Sequence, residues 1–215
     1  MTATTPAATP RASYRHGDLR RALLDAGVDL ARSGGPGAVV LREATRRAGV
    51  VPNAAYRHFA GRDELVQAVR AAALSALARA IEAEMARARR IKDPADHARA
   101  CLRSVGTGYI EFALDEPGWF RTAFSVPDAL QGAAEPAKAG ESGLNPFQLL
   151  GAALDLMVEA GVLPKRRRLG AEYLAWSSVH GLAMLVIDGP LRSFSRAQAR
   201  AVGQRLLDMV EKGLG

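Results

Sequence analysis

Apolar residues recur every three or four positions along nearly the whole chain, and glycine or proline interrupts them at intervals. That spacing lines one face of an α-helix and cannot line one face of a strand. Leu19, Leu23, Ala26 and Leu30 step by 4, 3 and 4, which predicts a helix from Gly17 to Ala31. Ser33-Gly34-Gly35-Pro36-Gly37 stops it. Short helices fit Val39 to Ala48, ended by Gly49, and Pro52 to Phe59. Pro52 opens the second in a first turn, where a missing N–H costs nothing. A long helix follows from Arg62 to about Arg90, carrying Leu65, Val69, Ala72, Leu77 and Ile81. Asp93-Pro94 signals the next start, with Asp as N-cap, and that helix runs toward Leu114 before Glu116-Pro117-Gly118. With no β-alternation, no internal repeat and no heptads, the expected fold class is all-α.

The second half continues in the same mode. Trp119 to Phe124 is a short aromatic piece, and Val126 to Gly143 reads as a mobile loop. Asn145-Pro146 starts a helix to Ala160. From Arg166 to about Asp188 the chain is apolar on nearly all sides, through Leu169, Tyr173, Leu174, Trp176, Val179 and Leu185. A helix of that kind must be covered all round. Ser195 with Gln198 has capping-box spacing and opens a last helix bearing Ala199, Val202, Leu206, Met209 and Val210. A monomer would leave Val202, Leu206 and Met209 uncovered, so self-association is expected.

Charge is concentrated at one end. Lys and Arg number 29 against 22 Asp and Glu. Residues 1–62 hold 10 Arg and 4 acidic residues, while the remainder holds 19 basic and 18 acidic. An acidic partner for the first segment is the natural expectation: nucleic acid, or an anionic membrane surface. The alternative is a solvated charged face. With 215 residues, the chain allows one large domain or two small ones. The single cysteine, Cys101, excludes an intramolecular disulfide framework and a multi-cysteine zinc site, and fits a reducing cytosol. No apolar run approaches the roughly 20 residues needed to span a bilayer. Met1 to Pro10 lacks a basic start and an apolar core, so it reads as a disordered tail and not a signal peptide. Cytoplasmic localisation with no membrane partner is expected.

The most informative unit is Leu41 to Phe59. Two short helices meet at Gly49-Val50, where glycine tolerates left-handed backbone angles and Val50 can pack beneath both. Ala44, Ala48 and Ala55 are small where helices must approach. This is helix-turn-helix spacing, whose second helix can enter the major groove of DNA. The stretch Ala55-Tyr56-Arg57-His58-Phe59, then Gly61-Arg62-Asp63-Glu64-Leu65, resembles the signature of the TetR family of bacterial transcriptional regulators. Tyr14-Arg15-His16-Gly17-Asp18-Leu19-Arg20 is similar to the start of that family's DNA-binding domain. Trp176 with His180-Gly181 is similar to the W…HG motif of one class of its ligand-binding domains.

The resemblance implies a two-domain homodimer that represses transcription until a small molecule releases it. It implies a disordered arm over 1–12, a helix-turn-helix domain over 13–62, and a helical ligand-binding and dimerisation domain over 63–215. Two positions depart from the family pattern. Val51 stands where Ser or Thr is usual, which removes a side-chain N-cap worth about 1 kcal/mol. Thr45 stands where Ala is usual, and its hydroxyl can bond back to the preceding turn.

Residue roles follow. Asn53 lies in the first turn of the recognition helix, where its amide can pair bidentately with adenine. Tyr56 and His58 match family positions that touch the DNA backbone, and their donors suit phosphate oxygens. Arg57 faces DNA or solvent, and Arg62 opens the next helix where the family commonly has a backbone-contacting Lys. Arg11, Arg15 and Arg42 are further phosphate candidates. Phe59 reads as a core plug, since a duplex offers no unstacked base.

In the second half Tyr109, Phe112, Trp119, Phe120, Phe124, Phe147, Met157, Trp176, His180 and Met184 are the candidates for an inducer pocket, or simply for core. Trp176 and His180 are four apart on one helix face. The inducer would be a partly apolar small molecule. His97 and Cys101 share a face too, but no third ligand is in view for a metal. Lys165 to Arg168 reads as a solvated basic run. Two other classes stay open. A constitutive DNA-binding protein would share the first half but lack an inducer. A helical enzyme is the other, yet no nucleophile elbow, P-loop, dinucleotide fingerprint or metal triad is present. No catalytic residue, cofactor or metal is therefore expected.

Overall fold

The structure, a computed structural model, describes residues 16–125 and 135–214. Arg11, Arg15, the expected arm over 1–12 and the first part of the expected loop from Val126 lie outside these residues. Among the described residues there are nine α-helices and no strand. α1 (His16–Gly34), α2 (Leu41–Arg47) and α3 (Pro52–Ala55) form the first unit. α4 (Arg62–Ala88) leads into α5 (Pro94–Asp115), α6 (Pro117–Ala123), α7 (Pro146–Glu159), α8 (Ala171–Ile187) and α9 (Arg196–Leu214). None is long and apolar enough to cross a membrane.

Local chemistry sets most boundaries where the sequence put them. The Asp93 carboxylate accepts from the Asp96 N–H at 2.9 Å. Asn145 and Gln148 close a reciprocal capping box, each bond 2.9 Å long. Ser195 and Gln198 do the same at the head of α9.

Three expectations need correcting. α3 stops at Ala55 instead of reaching Phe59, because the Ala55 carbonyl accepts from both His58 and Phe59 N–H groups and tightens the chain into a turn. α8 begins at Ala171 and not at Arg166, since Gly170 at φ +79° separates it from a 3-10 turn over Lys165–Arg167. Leu169 consequently lies off the helix and is exposed. The last part of the expected mobile loop is tied to α4. Glu82 accepts from the N–H groups of Glu141 and Ser142 at 2.8 and 2.9 Å and from the Ser142 hydroxyl at 2.5 Å. The Ser75 hydroxyl donates to the Ala139 carbonyl at 2.5 Å.

α4 is the spine, with α1, α5, α6 and α7 packed along it. Leu23, Val39 and Phe59 are fully buried in the first unit, Leu65 at the head of α4, and Leu77, Ile81, Phe120 and Leu154 in the body. Two glycines permit close backbone approach. A Cβ at Gly108 would lie 2.7 Å from Cα of Ile81, so α5 can press on α4. A Cβ at Gly118 would lie 2.5 Å from the carbonyl oxygens of Ala31 and Arg32, so the head of α6 abuts the end of α1. Arg32 fastens that junction, 3.2 Å from the Glu116 carboxylate and 4.3 Å above the Trp119 ring. On the far side, Arg200 grips Glu111 through two 2.7 Å bonds and holds α9 to α5. Leu174 and Leu185 on α8, with Val202 and Met209 on α9, remain exposed.

Candidate nucleic-acid surface and interior cavity

The turn between α2 and α3 is built as its residues dictate. Gly49 takes φ +68°, and Val50 N–H donates to the Thr45 carbonyl at 3.0 Å. Thr45 is buried, and its hydroxyl donates to the Arg42 carbonyl at 2.7 Å, so the departure is accommodated within α2. Val51 caps α3 with no side-chain bond and is itself exposed. Phe59 is fully buried, with the Arg20 guanidinium 5.0 Å from its ring centre.

That plug holds a short polar ledge outward. Asn53, Tyr56 and Arg57 are exposed and His58 is partly buried. Arg42 on α2 is exposed as well. Arg62 donates to the Pro36 carbonyl at 2.8 Å, which ties the head of α4 to the 3-10 turn Pro36–Ala38. Arg46 and Arg47, which the spacing did not single out, both clasp Glu43. The bond from Arg46, aided by Arg47, holds the Glu43 carboxyl down at about 2. Glu43 stays charged and offsets part of the positive charge beside the ledge.

The body holds a partly open cavity of about 370 Å³. Small-molecule sites usually span ~300–1,000 Å³, with mostly apolar walls and a few placed polar groups. Five candidates line this one: Tyr109, Phe124, Phe147, Trp176 and His180. The other five do not. Phe112 stacks on Trp119 at 5.9 Å between ring centres, near the end of α1, and the Trp119 indole N–H has no partner among the described residues. Phe120 is fully buried edge-on to Tyr109, 5.3 Å away. Met157 is fully buried and Met184 packs against the core. Sequence reasoning missed Arg70, Leu74, Leu150, Val179, Leu207 and Val210, which also line the wall. They are aliphatic or single charges scattered over four different helices, so no local motif marks them.

Three aromatic rings form a bonded chain inside. Trp176 Nε1 donates to the Tyr109 hydroxyl at 3.1 Å, and that hydroxyl lies 2.7 Å from His180 Nδ1. Burial pushes the Tyr109 phenol far above its ordinary range, outweighing the opposing Trp176 bond, and burial lowers His180. Both are therefore neutral near pH 7. Arg70 is buried, its Nε donating to the Ala123 carbonyl at 3.0 Å and its Nη1 to Gln67 at 3.3 Å.

The remaining candidates have structural roles. His97 Nδ1 is 3.1 Å from the Ala88 carbonyl and its Nε2 is 3.5 Å from Cys101 Sγ. Burial raises the Cys101 thiol away from thiolate. No group of three metal-ligating side chains gathers among the described residues. The basic run is not wholly solvated: Arg168 turns inward, 2.7 Å from Asp155, 2.5 Å from Glu172 and 3.2 Å from the Gly151 carbonyl.

Comparison with known proteins places both halves together. Residues 23–69 match the model of bacterial regulatory proteins of the tetR family. Residues 102–210 match the tetracyclin repressor-like C-terminal domain. Among solved structures, a protein of unknown function from Rhodococcus sp. RHA1 is 26% identical, with a TM-score of 0.73, covering 95% of this chain and 99% of that one. The TetR family transcriptional regulator PfmR from Thermus thermophilus is 19% identical, with a TM-score of 0.54 and coverage of 90% and 95%. TetR from Acinetobacter baumannii AYE is 17% identical, with a TM-score of 0.58 and coverage of 89% and 93%. The last two share the fold. No curated protein matches by sequence.

Proposed function

The chain belongs to the TetR family of bacterial regulatory proteins, and from that premise we propose that it is a homodimeric repressor released from a pseudo-palindromic operator by a small molecule. The coarser statement, a DNA-binding transcriptional regulator, comes with the family. The finer one rests on a single observation: one helix serves both sites. α4 starts at Arg62, beside the helix-turn-helix, and Leu74 and Ile81 farther along it form cavity wall. Its 27 residues contain no Pro or Gly and span roughly 40 Å at ~1.5 Å rise per residue.

Such a helix can act as a stiff lever. A molecule that fills the cavity and favours a tilted α4 changes the separation of the two α3 elements in the dimer. DNA tolerates little change there, because half-sites recur at about 34 Å. The molecule must bind the tilted state better, or nothing shifts. Asn53 is assigned to base edges, and Tyr56, Arg57, His58, Arg62 and Arg42 to phosphates. Tyr109, Phe124, Phe147, Trp176 and His180 are assigned to the effector. The exposed apolar residues of α8 and α9 supply an isologous interface with a second copy.

A thermal-shift screen finds the effector, since a molecule that binds only the folded state raises the melting temperature. Titrating that effector and operator DNA each in the presence of the other then tests the switch. Each should weaken the other by the same factor. A tight effector that leaves operator affinity unchanged would overturn the lever and favour a constitutive DNA-binding protein. A monomeric mass at micromolar concentration would overturn the dimer.

A further inference from the structure

The bonds inside the cavity wall already dictate what it can offer a guest. Indole nitrogen is only a donor, so Trp176 Nε1–H occupies the Tyr109 oxygen as an acceptor. The phenol has one proton left to place, and His180 Nδ1 lies 2.7 Å away. Were Nδ1 protonated instead, the Tyr109 proton would sit in a buried site with no acceptor, which is costly. Nδ1 therefore accepts, and the neutral imidazole carries its proton on Nε2. Among the described residues Nε2 has no hydrogen-bond partner. The ring is fixed between Phe120 and Phe124, at 5.8 and 4.9 Å, and lines the cavity.

The charged groups on the same wall are engaged with protein partners, some of them with one another. Arg103 is salt-bridged to Asp208 and Glu211, Lys138 to Glu135, and Arg70 to the Ala123 carbonyl and Gln67. Leu74, Val105, Phe147, Leu150, Val179 and Leu207 make much of the rest apolar. On the reading that this cavity holds the effector, we propose that the effector is a compact, uncharged, largely apolar molecule with a carbonyl-type oxygen, which accepts the His180 Nε2–H. Tyr109 is a positioning residue: it sets the tautomer through its bond to Nδ1.

Two measurements on the full-length protein test this. The first needs no ligand. Long-range 1H–15N correlation spectra, with His180 assigned by comparison with His180→Gln, report which ring nitrogen is protonated at pH 7. The Nε2–H tautomer is expected, and Tyr109→Phe should convert it to a mixture. An Nδ1–H tautomer in the unsubstituted protein overturns the proposal. The second compares three probes by calorimetry: 2-acetylnaphthalene, its isostere 2-isopropenylnaphthalene, and 2-naphthoate. The ketone should bind at least tenfold tighter than the alkene and no weaker than the carboxylate. His180→Phe should erase the ketone's advantage over the alkene. Equal binding of ketone and alkene overturns the donor but leaves the cavity a binding site. A carboxylate that binds tenfold tighter than the ketone overturns the uncharged class. If none of the three binds, the cavity is not an effector site and the proposal falls with that reading.

Discussion

The two functional regions handle their polar groups in opposite ways. Around α3 the core is plugged by Phe59, and Asn53, Tyr56 and Arg57 face outward into water. Around the cavity the polar groups face inward and bond one another, from Trp176 through Tyr109 to His180. A surface that meets a polyanion is solvated when free, so its side chains need no internal partners and can stay mobile until phosphates order them. A buried site has no such solvent, and each unmade bond there is costly. It must be nearly satisfied before a guest arrives. The first region is therefore organised by its neighbours in sequence, the second by contacts among distant helices.

The largest test of that contrast is Phe59→Ala. Removing a fully buried Phe costs about 3–5 kcal/mol, and here it empties the core under the ledge. Operator binding should vanish while thermal shifts by cavity ligands persist. Loss of both together would show that the two regions share one cooperative core and are not separately organised.

Gly118→Val strikes the junction between them. Its side chain would meet the Ala31 and Arg32 carbonyls, which as backbone cannot step aside. Overpacking of this kind costs about 1–3 kcal/mol, read as a lower urea midpoint. If α1 and α6 are coupled through this contact, the variant should also change how strongly a cavity ligand weakens operator binding. An unchanged coupling factor would place the communication elsewhere, in α4 alone.

Within the ledge the assignments separate by sequence dependence. Asn53→Ala should relax preference at one base pair by about 1–3 kcal/mol if the contact is bidentate. Tyr56→Phe and Arg42→Ala should weaken binding to all sequences, and Arg42→Ala should also flatten the salt dependence. Equal losses on operator and random DNA in the Asn53 variant would remove it from base recognition.

The same contrast explains what could be read from the chain beforehand. Gly49, Thr45 and the Asp93, Asn145 and Ser195 caps act over three or four residues, so their structural consequences were legible. Helix type and order were legible for the same reason. The end of α3 was not, because the shared bonds at the Ala55 carbonyl that turn the chain leave no mark in the residue pattern. Nor was the true start of α8, since one left-handed glycine outweighed an apolar run. In the cavity, aromatic residues could be nominated but not sorted. Phe120 and Phe124 are four apart on one short stretch, yet only Phe124 reaches the wall. That selection depends on where α4, α5 and α8 converge, which no local pattern records.

Val51→Ser gives a smaller and opposite effect. Position 51 is the N-cap of α3, exposed, and without a side-chain bond. A serine hydroxyl there can accept from an orphan N–H of the first turn, worth about 1 kcal/mol. Stability should rise by that order, and the ledge should be ordered before it meets DNA. Urea denaturation measures the first, and the operator association rate the second. A cap that leaves stability unchanged would mean that solvent already serves those N–H groups equally well.

The smallest effect concerns Glu82, which ties Glu141 and Ser142 to α4. Partial burial alone would raise its pKa, but the Ser142 hydroxyl, the N–H groups of Ser142 and Glu141 and the nearby Arg79 charge together outweigh that and lower it. Those donors favour the carboxylate, so the folded state binds a proton less readily than the unfolded chain does. The tether's contribution is therefore complete above the ordinary glutamate range and is lost as pH falls through the lowered folded value. At neutral pH Glu82→Gln should lower the melting temperature slightly, because an amide oxygen is a weaker acceptor than a carboxylate. As the pH drops below 4, roughly the ordinary glutamate value, the gap between variant and parent should close, since the parent then carries a neutral carboxyl at the same place. A gap that persists unchanged at pH 3 would mean that the segment is held by packing, as the ledge is by Phe59, and not by this charge.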